Sequence, residues 1–205
     1  MNSVKSTPAP RKGAQLDWKQ GLRLGLSLFI ITAVAALVLS LVNVLTADTI
    51  AARKEAQRLE AMASVMPGAG VFSEMYSEDT TVDRISGAYT GTKLLGYCVE
   101  VTPNGFGGAI SMIVGVDTGG SVTGVVILSH SETPGLGANA EKPEFLDQYL
   151  GKSGTVTVNS GNNAIQAVSG ATITSRAVTE GVNAALTAVF NYHVEGGQTP
   201  DEGNI

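Results

Sequence analysis

The chain has 205 residues, is 43% hydrophobic and only 15% charged, and carries a net charge of −5. That balance leaves no basic footprint for nucleic acid. A single cysteine, Cys98, excludes an internal disulfide and an all-cysteine iron–sulfur site. Two histidines, His130 and His193, are too few for a His-rich zinc centre. Cys98 sits between Tyr97 and Val99 in a strand-like run and reads as a packing residue.

Residues 24–45 contain no charge. As a helix this stretch spans roughly 33 Å, enough to cross a bilayer core. A cleaved signal peptide has a shorter apolar region. Lys5, Arg11, Lys12, Lys19 and Arg23 precede the stretch, so the N-terminus is expected in the cytoplasm and the rest on the outer face.

Further along, 1–15 is Pro/Ser/Lys-rich and reads as disordered. Residues 46–66 have helix-forming composition and continue the membrane helix until Pro67-Gly68. From about Val82, short β-like runs alternate with glycines: 94–101, 109–116 and 121–128, the last two joined by a hairpin turn from Asp117 to Gly120. The loop 129–137 follows, with His130 expected to be exposed at the strand end. Next come a short helix over 143–150 with Phe145, Leu146 and Tyr149 inward, and a strand at 155–158. A helix is predicted over 175–192, packing through Val178, Val182, Ala185, Leu186 and Val189, before a loose tail from Glu195. Hairpins followed by helices predict an α+β domain behind a single transmembrane helix. The expected organisation is a cytoplasmic segment 1–21, a membrane helix 22–46, a juxtamembrane helix and linker 47–80, a folded domain 81–194 and a tail 195–205.

The informative segment is Ser169-Gly170-Ala171-Thr172-Ile173-Thr174-Ser175. Gly170 and Ala171 leave room for a bulky group near the backbone. The helix behind them offers free N–H groups and partial positive charge, which favour a phosphate. On this physics alone an ordinary Ser/Thr helix cap explains the pattern as well.

Ser-Gly-Ala-Thr resembles the flavinylation motif of FMN-binding domains in the Rnf and sodium-pumping quinone reductase complexes. His130-Ser131-Glu132-Thr133-Pro134-Gly135-Leu136-Gly137 is similar to the Glu-Thr-Pro-Gly-Leu-Gly loop of the same family. The charge-poor N-terminal helix, the junction Leu45-Thr46-Ala47-Asp48-Thr49-Ile50 and the Ala/Glu-rich helix behind it resemble the RnfG family of the Rnf electron transport complex. The family pattern often has Asp three positions before the Ser, where this chain has Gln166.

The resemblance implies an extracytoplasmic FMN-binding domain whose FMN is joined to Thr172 by a phosphoester, with Thr174 a second choice. It implies a flavin transferase that uses FAD as donor. Ser169, Gly170, Ala171, Glu132, Thr133, Gly135 and Leu136 would surround the cofactor, and Lys142 would counter the phosphate. The chain would then be an electron-relaying subunit of an ion-translocating ferredoxin:NAD oxidoreductase in the cytoplasmic membrane, held among other subunits and lipid. With no dinucleotide fingerprint, it would have no complete active site of its own. Two alternatives remain. One is the related flavin subunit of a sodium-pumping NADH:quinone reductase, or another extracytoplasmic flavin carrier. The other is a cofactor-free tethered binding module.

Overall fold

The computed structural model describes residues 18–75 and 81–194; the segments 1–15 and 195–205, expected to be loose, lie outside the described residues. The chain divides into two units at Arg53/Lys54, and a single helix, α1 (Trp18–Val65), runs through the boundary.

In the first unit, α1 is long and apolar enough to cross a membrane, with a mean hydropathy of 2.7 over its most apolar window. Three of its hydroxyls, on Ser27, Thr32 and Thr46, bond back to its own backbone. Ser27 Oγ donates to the Leu24 carbonyl at 2.9 Å, and Thr46 Oγ1 donates to that of Val42 at 2.8 Å. In hydrocarbon an unpaired hydroxyl would be costly, so this back-bonding suits a lipid-facing helix.

The second unit is built on a five-stranded antiparallel sheet in simple sequence order: β1 (Val71–Met75), β2 (Arg84–Thr90), β3 (Lys93–Val101), β4 (Ser111–Asp117) and β5 (Val122–Ser129). The predicted hairpin between β4 and β5 is present. Asp117 Oδ1 accepts the N–H groups of Gly119 and Ser121 at 2.8 and 2.9 Å, and Gly120 takes φ +78°. Such an Asx turn lets Asp replace backbone partners in a tight reversal. Strand β1 lies in a stretch read as linker. It pairs along its whole length with β2, from Val71↔Tyr89 to Met75↔Ile85.

Beyond the sheet come a short helix α2 (Pro143–Leu146), a 3-10 turn Asp147–Tyr149, a parallel pair β6 (Thr157–Val158) and β7 (Ala164–Ile165), and the long helix α3 (Thr172–Val194). Phe145, Leu146 and Tyr149 point inward as expected. The buried Tyr149 hydroxyl is 2.8 Å from Thr179 Oγ1 on α3.

Strand alternation splits the core in two. On one face Ile85, Val99, Met112, Val114 and Val116 pack with Val178, Val182, Ala185 and Val189 of α3. On the other, Ala88, Cys98 and Ile113 pack with Ala61, Met62, Val65 and Met66. The sheet therefore lies between α3 and the end of α1. Gly115 and Gly124 make that closeness possible. A Cβ at Gly124 would stand 2.9 Å from Val65 Cα, and one at Gly115 would stand 2.6 Å from the Val65 carbonyl. Thr123 Oγ1 closes the helix end by donating to that same carbonyl at 2.6 Å. Arg58 bonds Glu100 and donates to Ser86 Oγ on the sheet at 3.2 Å.

Cys98 is a packing residue, as read from sequence. Burial pushes its thiol up from an ordinary 9.0 to about 12. A maleimide at pH 8 is therefore expected to leave the folded chain unlabelled and to react once it unfolds. Between about pH 9 and 12 the unfolded thiol ionises while the folded one keeps its proton. The folded state then binds more protons, so stability falls with rising pH across that window. A Cys98→Ala chain should lose this component in urea titrations.

Candidate functional site

The loop after β5 is organised by one carboxylate. Glu132 is only 6% exposed. Its Oε1 accepts the Gly107 N–H at 2.8 Å, and its Oε2 accepts the Thr174 hydroxyl at 2.7 Å. One side chain thus joins the turn between β3 and β4, the post-β5 loop and the first turn of α3. The fit is close enough to demand glycine on both sides. A Cβ at Gly105 would collide with Oε1, and one at Gly137 with Oε2. Both oxygens of Glu132 are engaged within the protein.

The rest of the loop is a rigid turn. The Thr133 carbonyl accepts the N–H groups of Leu136 and Ala138, both at 3.2 Å, and Gly135 adopts φ +78°. Asn139 Nδ2 donates to the Gly135 carbonyl at 2.8 Å. His130 is half-buried, against the expectation of an exposed residue. Its Nδ1 accepts the Glu132 N–H at 3.1 Å, which leaves Nε2 carrying the proton toward Glu141 Oε2 at 3.2 Å. Gly135 is exposed, Leu136 is 49% exposed, and Thr133 is exposed as well.

The second motif is fixed by Ser175. Its Oγ accepts the Val168 N–H and donates to the Ala171 carbonyl, both at 2.9 Å. The Ala171 N–H in turn donates to the Val168 carbonyl at 3.0 Å, and Gly170 takes φ +75°. This turn starts α3 at Thr172, three residues before the predicted start, because Ser175 closes the turn from inside the helix rather than capping it from outside. The N–H groups of Thr172, Ile173 and Thr174 have no carbonyl four residues back within the helix.

The four residues that open α3 differ sharply. Thr172 and Ile173 are exposed, whereas Thr174 and Ser175 are buried. The Thr174 hydroxyl is committed to Glu132. The Thr172 hydroxyl has no hydrogen-bond partner among the described residues. The two motifs meet here: a Cβ at Gly170 would stand 3.3 Å from Leu136 Cδ2. Ser169 and Gly170 flank the turn, with Gly170 exposed and Ala171 buried. Beside them a cavity of about 310 Å³ is lined by Asn139, Lys142, Gln148, Gln166 and Val168 among others. Lys142 is exposed at its rim.

Of the residues singled out from sequence, Glu132, Leu136, Gly170 and Thr174 are brought together, while Lys142 belongs to the adjoining cavity. Sequence reasoning missed the turn Gly105-Phe106-Gly107-Gly108 and the staple at Ser175. The glycine cluster around an aromatic was the available signal for the first.

An exposed hydroxyl at the start of a long helix, with small residues before it and unpaired N–H groups around it, fits a phosphate ester. The fold and site define an FMN-binding domain behind a long apolar helix. A family model described as FMN-binding domain matches residues 105–187, and one for the RnfG N-terminal region matches residues 15–65. The chain belongs to the RnfG family of ion-translocating oxidoreductase complexes. It is 36% identical to the G subunit of the Na(+)-translocating ferredoxin:NAD(+) oxidoreductase complex of Acetobacterium woodii, over 88% of this chain and 97% of that one. It is 33% identical to the G subunit of the ion-translocating oxidoreductase complex of Cereibacter sphaeroides, over 94% of each. The crystal structure of Shewanella oneidensis NqrC is 21% identical, covering 63% of this chain and 73% of that one, with a TM-score of 0.46.

Glu132→Ala would orphan the buried Thr174 hydroxyl and strip the part-buried Gly107 N–H of its acceptor, and is expected to destabilise the domain by about 2 kcal/mol. Glu132→Gln keeps an acceptor for Gly107 and a polar partner for Thr174. Its loss should stay near about 1 kcal/mol, and urea unfolding of both variants measures the difference.

Proposed function

We propose that this chain is the membrane-anchored flavoprotein subunit of an ion-translocating ferredoxin:NAD oxidoreductase complex, and that its FMN is esterified through the phosphate to Thr172. The observation that carries the covalent assignment is the contrast between two hydroxyls. Thr172 is exposed and unpartnered among the described residues, while Thr174 is buried and bonded to Glu132. Only the former stands where an attaching enzyme can reach it.

In the attachment step the Thr172 Oγ–P bond forms as the pyrophosphate bond of FAD breaks. AMP leaves, and the hydroxyl proton passes to water. The chain itself supplies acceptor geometry: the turn at Gly170 admits a bulky phosphate, and the first-turn N–H groups of α3 stabilise its charge. Lys142 adds positive charge from the cavity rim. A separate flavin transferase performs the transfer; the Thr172 hydroxyl has no hydrogen-bond partner among the described residues to take its proton.

Bound FMN would supply one- and two-electron chemistry. The protein's part is to hold it where it cannot diffuse away, which matters on the outer face of the membrane. The cationic residues ahead of the charge-free run favour a cytoplasmic N-terminus, with the flavin domain outside. Electron donor, acceptor and ion path belong to neighbouring subunits, which the apolar helix would meet within the lipid.

Intact mass of the chain co-expressed with a flavin transferase is the decisive measurement. The expected adduct equals FMN minus water, and it should vanish in Thr172→Ala and persist in Thr174→Ala. Loss of the adduct in Thr174→Ala alone would overturn the assignment to Thr172.

A further inference from the structure

Three large apolar side chains stand in water on segments that Glu132 and Gly170 join: Phe106, 71% exposed, Leu136, 49%, and Ile173, 55%. Singly, exposed apolar residues are ordinary. These three lie on the three segments that Glu132 and Gly170 draw together. Ile173 follows Thr172, and Leu136 lies against Gly170. Phe106 immediately precedes the Gly107 N–H that Glu132 accepts.

The turn carrying Phe106 is held rather than loose. The Gly105 N–H donates to the Gly108 carbonyl at 2.8 Å, and Asn104 bridges Ala109 behind it. Gly105 is pressed against Glu132 and Ile110, and Gly107 against the Ser131 carbonyl, so neither position has room for a Cβ. The backbone on both sides of Phe106 is therefore clamped inward, and the one bulky side chain of the turn is left facing out. A fixed aromatic surface, tied through Glu132 to the helix turn that carries the anchor point, is preorganised for a flat, apolar ligand. The FMN-binding match also opens at residue 105, so this turn lies within it.

We propose that Phe106 is a cofactor-binding residue, the side chain against which the isoalloxazine ring of the Thr172-linked FMN rests, with Leu136 and Ile173 flanking it. This rests on the Thr172 reading. Phosphate and ring are then held by different means: the phosphate by a covalent bond and helix N–H groups, the ring by apolar contact with a turn that the Glu132 carboxylate fixes.

The test uses the full chain, flavinylated by a co-expressed transferase and purified in detergent. Indole in contact with a flavin quenches its emission, so Phe106→Trp should lower flavin fluorescence about five-fold or more. Phe190→Trp is the control. Phe190 is also largely exposed but lies roughly 27 Å farther along α3 than Thr172, so it should change nothing. Phe106→Ala should lower flavin anisotropy and raise quenching by iodide about two-fold or more, as the ring loses its seat. Intact mass separates the two readings. If the adduct is present but Phe106→Trp quenches no more than Phe190→Trp, the ring seat is wrong and Thr172 stands; a neighbouring protein of the complex then covers the patch. If the parent chain carries no added mass, the attachment fails and this inference with it.

Discussion

The site depends on a charge shut away from water. The Glu132 carboxylate accepts one backbone N–H and one hydroxyl, and it lies against the first turn of α3, where the helix presents partial positive charge. A buried carboxylate is tolerated only with such donors. Positions 107, 132 and 174 are far apart in the chain, and each supplies one part of this single arrangement. Glycines at 105 and 137 follow from it, because any side chain there would occupy the space of the carboxylate oxygens.

This arrangement also separates two chemically equal hydroxyls. Threonines 172 and 174 sit two residues apart on one helix, which turns them to different sides. One side meets Glu132 and the protein interior; the other meets solvent. The proposed attachment position would thus be defined partly by removing its neighbour from competition.

Much of this was legible in the sequence. The charge-free run, the alternating Val/Ile strands and the helix-period face of 178–189 each carry their own signal, and all three elements are present. The flavin motif was legible as a resemblance, and its residues do converge. What escaped was tertiary. Strand β1 is a five-residue edge strand with no strict alternation of burial, directly after a Pro-Gly break, and pairing with β2 makes it a strand. Ser175 looks like a cap from sequence, yet it works inside the helix because Val168 folds back to it. His130 was expected in solvent, but its ring packs back on the Glu132 N–H and on Glu141. The partners of Glu132 come from segments separated from it by 25 and 42 positions, beyond any local pattern.

The glycines on the outer face of the sheet have a practical corollary. Gly115 and Gly124 leave a furrow that Val65 and its neighbours fill, and Met62 and Met66 shield Cys98 and Ile113 from water. A fragment begun at residue 81 would lose this cover together with its outermost strand. It would present an open sheet edge above a wet apolar floor, the geometry that invites chains to stick to one another. A soluble form of the flavin domain has to retain the last turns of α1, so the tether is at its lower end a piece of the core.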